Sequence, residues 1–374
     1  MLIHPAHTLE FDELVRRLRA ARDQRLVYER AGPEGLTLYV YSEHCVYEQA
    51  WDAITIAARG LILDHGARRI VATPFPKFFN AGERDGAVPD LPFEVTEKLD
   101  GSLIIIFHHR DRWLTATKGA FDSTQAQWSK AFIDRLDLSP LEPGVTYLAE
   151  ATYPENKIVV PYPEAALRLL GAYSPRGTEV EFNAVAAAGE QLGIGSVRRL
   201  AFTSIAELMA MARTLPRTEE GYVLRFNNGA RLKIKGDEYK RIHALISGLT
   251  PLAMWEAMRA GSDMQAIRRD LPEEYWADFD AIVARLEALL AGLLAHVGTV
   301  AQAVENLTDK ELGMALSTIE ERARPFVFDY RNSGGSLMDG RSRDRLYRTI
   351  RPTGNVLPGY VPSFAVSRVK EDSG

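Results

Sequence analysis

Cysteine is nearly absent from this chain: Cys45 is the only one in 374 residues. A single thiol excludes an intrachain disulfide and a zinc site built on thiolates. Long apolar runs are also lacking. None approaches the ~20 residues that a membrane-spanning helix needs, so no membrane partner is expected. The opening Met1-Leu2-Ile3-His4-Pro5 has no basic-then-apolar leader pattern, which makes a cytoplasmic location the expectation. No Gly-x-x-x-x-Gly-Lys-Ser/Thr sequence occurs, so the chain carries no P-loop kinase of its own. Internal repeats and low-complexity segments are absent too. Charge is nearly balanced, with 45 Lys and Arg against 50 Asp and Glu and a net charge of −5. That balance neither favours nor excludes a nucleic-acid partner, because affinity for a polyanion comes from local cationic surface.

What is present suits a globular protein of two domains: 46% hydrophobic and 25% charged residues are ordinary values. Residues 8–25 read as an amphipathic helix, with Phe11, Leu14, Val15 and Leu18 at i, i+3, i+4 and i+7. Short strands separated by turn residues dominate from about 35 to 120. Helical segments follow at Gln125 to Leu136, Glu179 to Leu192 and Ser204 to Ala212, where Ser204 and Glu207 have capping-box spacing. Strands with short turns and few crossover helices predict an α+β domain over residues 1–243, built on mostly antiparallel sheet. From Trp276 to Val297 the apolar residues keep a helical period, and Asp270, Pro272 and Glu273 mark a helix start. Residues 244–374 are therefore expected to form a smaller all-helical domain with a loop-rich tail whose last residues are disordered.

The densest chemical signal is Glu97-Lys98-Leu99-Asp100-Gly101-Ser102, set between an extended segment and the apolar strand Leu103 to Phe107. Alternation along a strand puts Lys98 and Asp100 on one face, and Gly101 permits a tight turn. Four segments follow in order. Trp113 to Gly119 is a strand ending on Lys118. Tyr147 to Tyr153 is a strand carrying Glu150 among apolar neighbours. Glu219 to Phe226 is a strand led by two acids, and in Arg231 to Gly236 the lysines Lys233 and Lys235 share a face. Upstream lie Ala58-Arg59-Gly60 and Lys77-Phe78-Phe79-Asn80; Pro154 to Tyr162, containing Asn156 and Lys157, reads first as a turn. His108-His109 reads as a strand end, and the arginines at 341, 343, 345, 348 and 351 as a solvated helix face before a grip on RNA phosphates.

The order Lys-x-Asp-Gly, Glu, Glu-Gly, Lys-x-Lys resembles motifs I, III, IIIa, IV and V of the covalent nucleotidyltransferases, the superfamily of polynucleotide ligases and capping enzymes. With the upstream Arg-Gly and Lys-Phe-Phe-Asn elements, residues 50 to 245 resemble the T4 RNA ligase 1 type of ATP-dependent RNA ligase. The resemblance implies an antiparallel nucleotidyltransferase domain of the ATP-grasp-like ligase kind. It also implies an RNA substrate with 3′-hydroxyl and 5′-phosphate ends, such as a cleaved tRNA, and a separate kinase/phosphatase that heals damaged ends. Lys98 is implied as the nucleophile that takes AMP from ATP. Arg59, Lys77, Phe79, Glu97, Gly101, Lys118, Val223, Lys233 and Lys235 are implied to bind ATP, with Tyr222 a further residue for packing on the base. Asp100, Glu150 and Glu220 are implied to hold Mg²⁺, which Mn²⁺ could replace, directly or through water. A DNA ligase or capping enzyme is the nearest alternative, against which the helical C-terminal segment argues. Beyond it stand an inactive nucleotide- or RNA-binding protein and an enzyme that adenylylates a protein or small molecule.

Overall fold

The computed structural model describes residues 3–83, 88–272 and 275–362. Glu273, read as part of a helix start, and the final residues of the tail lie outside the described residues. The chain divides into two compact units between Arg241 and Ile242.

The first unit begins with α1 (Phe11–Asp23), whose Leu14, Val15, Leu18 and Ala21 are buried as the helical period predicts. Next come β1 (Val27–Ala31), β2 (Leu36–Tyr41), the short helices α2 (Glu43–Tyr47) and α3 (Ala53–Ala57), then β3 (Arg59–Asp64), β4 (Arg69–Ala72) and β5 (Phe79–Asn80). The central run is β6 (Phe93–Lys98), β7 (Ser102–His109), β8 (Arg112–Thr117), α4 (Thr124–Ile133), β9 (Thr146–Thr152) and β10 (Ala166–Tyr173). The unit ends with α5 (Phe182–Gln191), β11 (Arg199–Leu200), α6 (Ile205–Arg213), β12 (Gly221–Phe226), β13 (Arg231–Lys235) and the first turn of α7 (Asp237–Ser247).

These strands make three sheets, ordered β1-β2-β3-β4, β10-β9-β7-β8 and β11-β6-β12-β13-β5. Every pairing is antiparallel except β13 with β5. The first two sheets pack through Leu38, Val40 and Ile62 against Ile105, Phe107 and Leu148. The intervening positions Ile104 and Ile106 join a second core containing Val185 and Leu192 of the α5 region. This double burial explains the unbroken apolar run of β7: a strand covered on both faces needs no polar alternate. The third sheet packs Val95, Leu224 and Phe226 against Leu208 and Ala212 of α6.

At α6, Ser204 caps the helix by accepting from the Glu207 amide at 3.1 Å. The Glu207 carboxylate reaches one residue further back than a capping box requires, to the amide and hydroxyl of Thr203.

The second unit contains α8 (Pro251–Ala260), α9 (Met264–Asp270), α10 (Trp276–Ala303), α11 (Asp309–Ala315), α12 (Val327–Asn332) and α13 (Gly340–Thr349). Asp270 ends α9 instead of starting the long helix, which begins directly after Tyr275. By length and composition α10 is apolar enough to cross a membrane. That departs from the expected lack of such a run, because alanine and glycine between its leucines lengthen the apolar stretch. Its stripe of Phe279, Ile282, Leu286, Leu290, Leu293 and Val297 is buried, and it packs on α8, α12 and α13. Arg343 donates to the carbonyls of Met258 and Arg259, and Arg345 pairs with Asp329. Part of the C-terminal arginine run thus ties helices together.

Candidate active site

The third sheet sets the geometry. In its register Lys98 of β6 and Lys235 of β13 both flank Gly221 of β12, while Thr96 and Lys233 both flank Val223. Paired residues share a face, so Lys98, Val223, Lys233 and Lys235 lie on one side of the sheet. Glu220 immediately precedes β12. Its carboxylate is fully buried and bridges two lysines, with Oε2 at 2.6 Å from Lys98 Nζ and Oε1 at 3.1 Å from Lys235 Nζ.

Around this pair cations predominate. Burial, together with the charges of Lys98, Lys77, Lys235 and Arg59, pushes the Lys233 amine down from its ordinary 10.5 to about 6. One guanidinium nitrogen of Arg59 is buried with no hydrogen-bond partner among the described residues, and the Arg59 and Lys233 side chains lie 5.4 and 5.6 Å from the Phe78 ring. Lys77 is only 5% exposed and faces the rings of Tyr41, Trp51 and Phe79 at 5.8, 5.4 and 5.1 Å. Lys118, just past β8, lies 5.9 Å from the Tyr41 ring. Crowded lysines and arginine, one with a buried unmet donor, make a donor set that fits the phosphates of a nucleotide.

The Lys233 shift has a testable sign. At pH 8 this amine is mostly neutral in the free protein, and phosphate oxygens favour its charged form, so titration with ATP is expected to draw a proton onto Lys233. Calorimetric titration in two buffers of different ionisation heat should show uptake that Lys233→Met removes; equal uptake by the variant would assign the proton elsewhere. Because the unfolded chain holds this proton and the folded chain does not, the same group makes stability rise with pH between about 6 and 10.5.

Other expected site residues stand differently. Glu97 alternates to the opposite face from Lys98, and its carboxylate accepts from the amide and guanidinium of Arg198 at 2.8 and 2.7 Å. Tyr222 is buried in the core beside Phe202, leaving Val223 as the partly exposed residue of the pair. Asp100 is 1% exposed. Its Oδ2 accepts from the amides of Val159 and Val160 at 2.8 and 2.7 Å, and its Oδ1 from the Tyr239 hydroxyl at 2.8 Å. Glu150 Oε1 accepts from the Gly101 amide at 3.2 Å. Among the described residues no group of three or more His, Cys, Asp and Glu stands together as a metal-ligand set. Carboxylates that look unpaired in the sequence are taken up by backbone amides, a tyrosine and two lysines. Asn156 is also structural, donating to the Ala151 carbonyl at 2.7 Å and accepting from Ser102 at 3.1 Å.

Two motif glycines are required sterically. A Cβ on Gly101 would lie 2.3 Å from the Ala151 oxygen. One on Gly221, at φ +148°, would lie 2.1 Å from the Ile234 oxygen. Both neighbours are backbone and yield only if strands part. Gly221→Ala is therefore expected to cost about 3 kcal/mol or more, lowering the melting temperature by roughly 6–12 °C in thermal unfolding. A drop under about 2 °C would mean that the strands give way easily.

Comparison with known proteins places this geometry. Residues 57–239 match the family model described as RNA ligase. This segment is similar to the RNA ligase family. A protein of Autographa californica nuclear polyhedrosis virus, named as a bifunctional polynucleotide kinase/RNA ligase, is 27% identical over 225 residues, covering 51% of this chain and 31% of the viral protein. An RNA ligase of Rhodothermus phage RM378 is 23% identical over 215 residues, covering 43% of this chain and 48% of its own. The chain thus spans about half or less of the length of these relatives. An archaeal ATP-dependent RNA ligase superposes with a TM-score of 0.51 at 16% identity, over 75% of this chain and 83% of that one, which shows a shared fold. Lys98, Glu220, Lys233 and Lys235 all lie within the RNA ligase segment, as do Arg59 and Lys77.

Residues without a sequence signal also line the site. Tyr41 and Trp51 stand against Lys77. Tyr41 closes a strand and Trp51 lies in a loop, so neither falls in a motif or a periodic pattern.

Proposed function

We propose that the protein is an ATP-dependent RNA ligase that carries AMP on Lys98. The neutral Lys98 amine attacks the α-phosphorus of ATP; the N–P bond forms and the α–β bridging P–O bond breaks, with its electron pair leaving on pyrophosphate. Glu220, 2.6 Å from Nζ, is placed to accept the amine's proton. Arg59, Lys233 and Lys235 offset the charge that builds on the phosphate oxygens. An oxygen of an RNA 5′-phosphate then takes the AMP and frees Lys98, and an RNA 3′-hydroxyl displaces AMP to make the phosphodiester. Mg²⁺, or Mn²⁺ in its place, is proposed to enter with the ATP phosphates, with Asp100, Glu150 and Glu220 as its proposed ligands, directly or through water.

The observation that carries this reading is the Lys98–Glu220–Lys235 bridge inside a cation cluster, within the segment that matches the RNA ligase family model. Repair of cleaved RNA, tRNA above all, in the cytoplasm is the proposed setting. There a separate kinase/phosphatase would supply ends of the right chemistry. The test incubates 5′-phosphorylated single-stranded RNA with ATP and Mg²⁺ and resolves products on a denaturing gel. Joined or circular RNA is the expected product, with DNA ends and GTP as the poorer alternatives. If neither sealed nor adenylylated RNA forms, the ligase reading fails.

A further inference from the structure

The rings around Lys77 form a connected set. Tyr41 and Trp51 meet edge to face at 5.1 Å, and Trp51 and Phe79 at 5.5 Å. One short helix keeps ring and ammonium in step. Asp52, directly after Trp51, caps α3 through a capping box, and the Lys77 amide donates to the Ile56 carbonyl of that helix at 2.9 Å. The Trp51 indole nitrogen is buried without a hydrogen-bond partner among the described residues. Phenylalanine would fill much of this space without an unmet donor. What indole adds is the most cation-attracting face among the aromatic side chains.

We infer that Trp51 is a positioning residue of the nucleotide site: with Tyr41 and Phe79 it cages the Lys77 ammonium and holds it at the edge of the phosphate-binding cation cluster. The inference rests on the ATP site proposed above. It adds a residue outside the matched segment 57–239 to the machinery within it. A buried ammonium among other cations is repelled toward solvent, and the negative faces of three rings offset that repulsion.

The test compares wild type, Trp51→Phe, Trp51→Leu, Lys77→Met and the Trp51→Leu/Lys77→Met double variant. It reads half-saturating ATP and limiting rate for transfer of labelled AMP to the protein. Trp51→Leu should raise half-saturating ATP on the order of tenfold, and Trp51→Phe should recover most of that loss. In the Lys77→Met background Trp51→Leu should add less than about twofold, because the ring acts through the lysine. A full effect in that background, or none in the wild-type background, overturns the inference.

Should Trp51→Leu fail to fold, fluorinated tryptophans weaken the ring face without changing its shape. Half-saturating ATP should then rise with fluorine number in the wild-type chain and stay flat in Trp51→Phe, and a flat response in both overturns the inference. If no AMP reaches the protein at all, the ligase reading fails. The same comparisons are then made on the dissociation constant of labelled ATP, so the two failures are distinguishable.

Discussion

Lys98→Ala should abolish transfer of labelled AMP to the protein, lowering it by about a thousandfold or more, and with it all RNA sealing. The result is not trivial, because the cluster contains a second amine whose proton affinity is lowered. Lys233 is the lysine pushed down to about 6, so at neutral pH it presents more free amine than an ordinary lysine. It shares the sheet face of Lys98, two positions along the register. Position distinguishes them. Lys98 ends its strand beside the Asp100–Gly101 turn, with its ammonium against Glu220, whereas Lys233 sits within β13 among like charges that suit it to holding a phosphate. Mass mapping of the AMP adduct decides the matter. An adduct on the Lys98 peptide, lost in Lys98→Ala, supports the assignment. A surviving adduct on the Lys233 peptide would leave nucleotidyl transfer standing and show that the nucleophile had been misassigned.

The site was legible in the sequence wherever chemistry depends on residue order along a strand. Lys233 and Lys235 alternate with Leu232 and Ile234, and that pattern already puts both lysines on one face. The burial of β7 on both sides could be read from its unbroken apolar run. Two kinds of fact were not legible. Carboxylate partners are one: nothing in Lys-x-Asp-Gly says that Asp100 is held by the amides of Val159 and Val160 and by the Tyr239 hydroxyl, since those partners are distant in sequence and two are backbone. Contacts between sheets are the other. Trp51 and Tyr41 reach Lys77 only because the segment around α3 folds back on β5, a tertiary event with no local signature. The long helix α10 taught a related lesson. Asp270 and Pro272 are genuine breakers, but they end α9 as readily as they would begin the next helix, and local signals mark a boundary without saying which side of it is helical.

Glu220→Gln separates binding from chemistry. The wild-type carboxylate bridges Lys98 and Lys235, and glutamine keeps its shape while removing its charge. Two consequences follow, with opposite signs. The cluster gains one net positive charge, so a triphosphate should bind as tightly as before or more tightly. Lys98 loses its proton acceptor and its anchor, so AMP transfer should fall by about 10²–10⁴-fold. Folding should also suffer, by about 3–5 kcal/mol, because removing one partner leaves buried charge uncompensated; bound ATP should restore much of that loss by replacing the missing anion. Dissociation constants for labelled ATP, rates of AMP transfer and melting curves with and without ATP read the three effects. If ATP binding and AMP transfer fall together, Glu220 serves the nucleotide, or a cation bound with it, instead of Lys98. The proton-acceptor role would then be wrong even with Lys98 confirmed as the nucleophile.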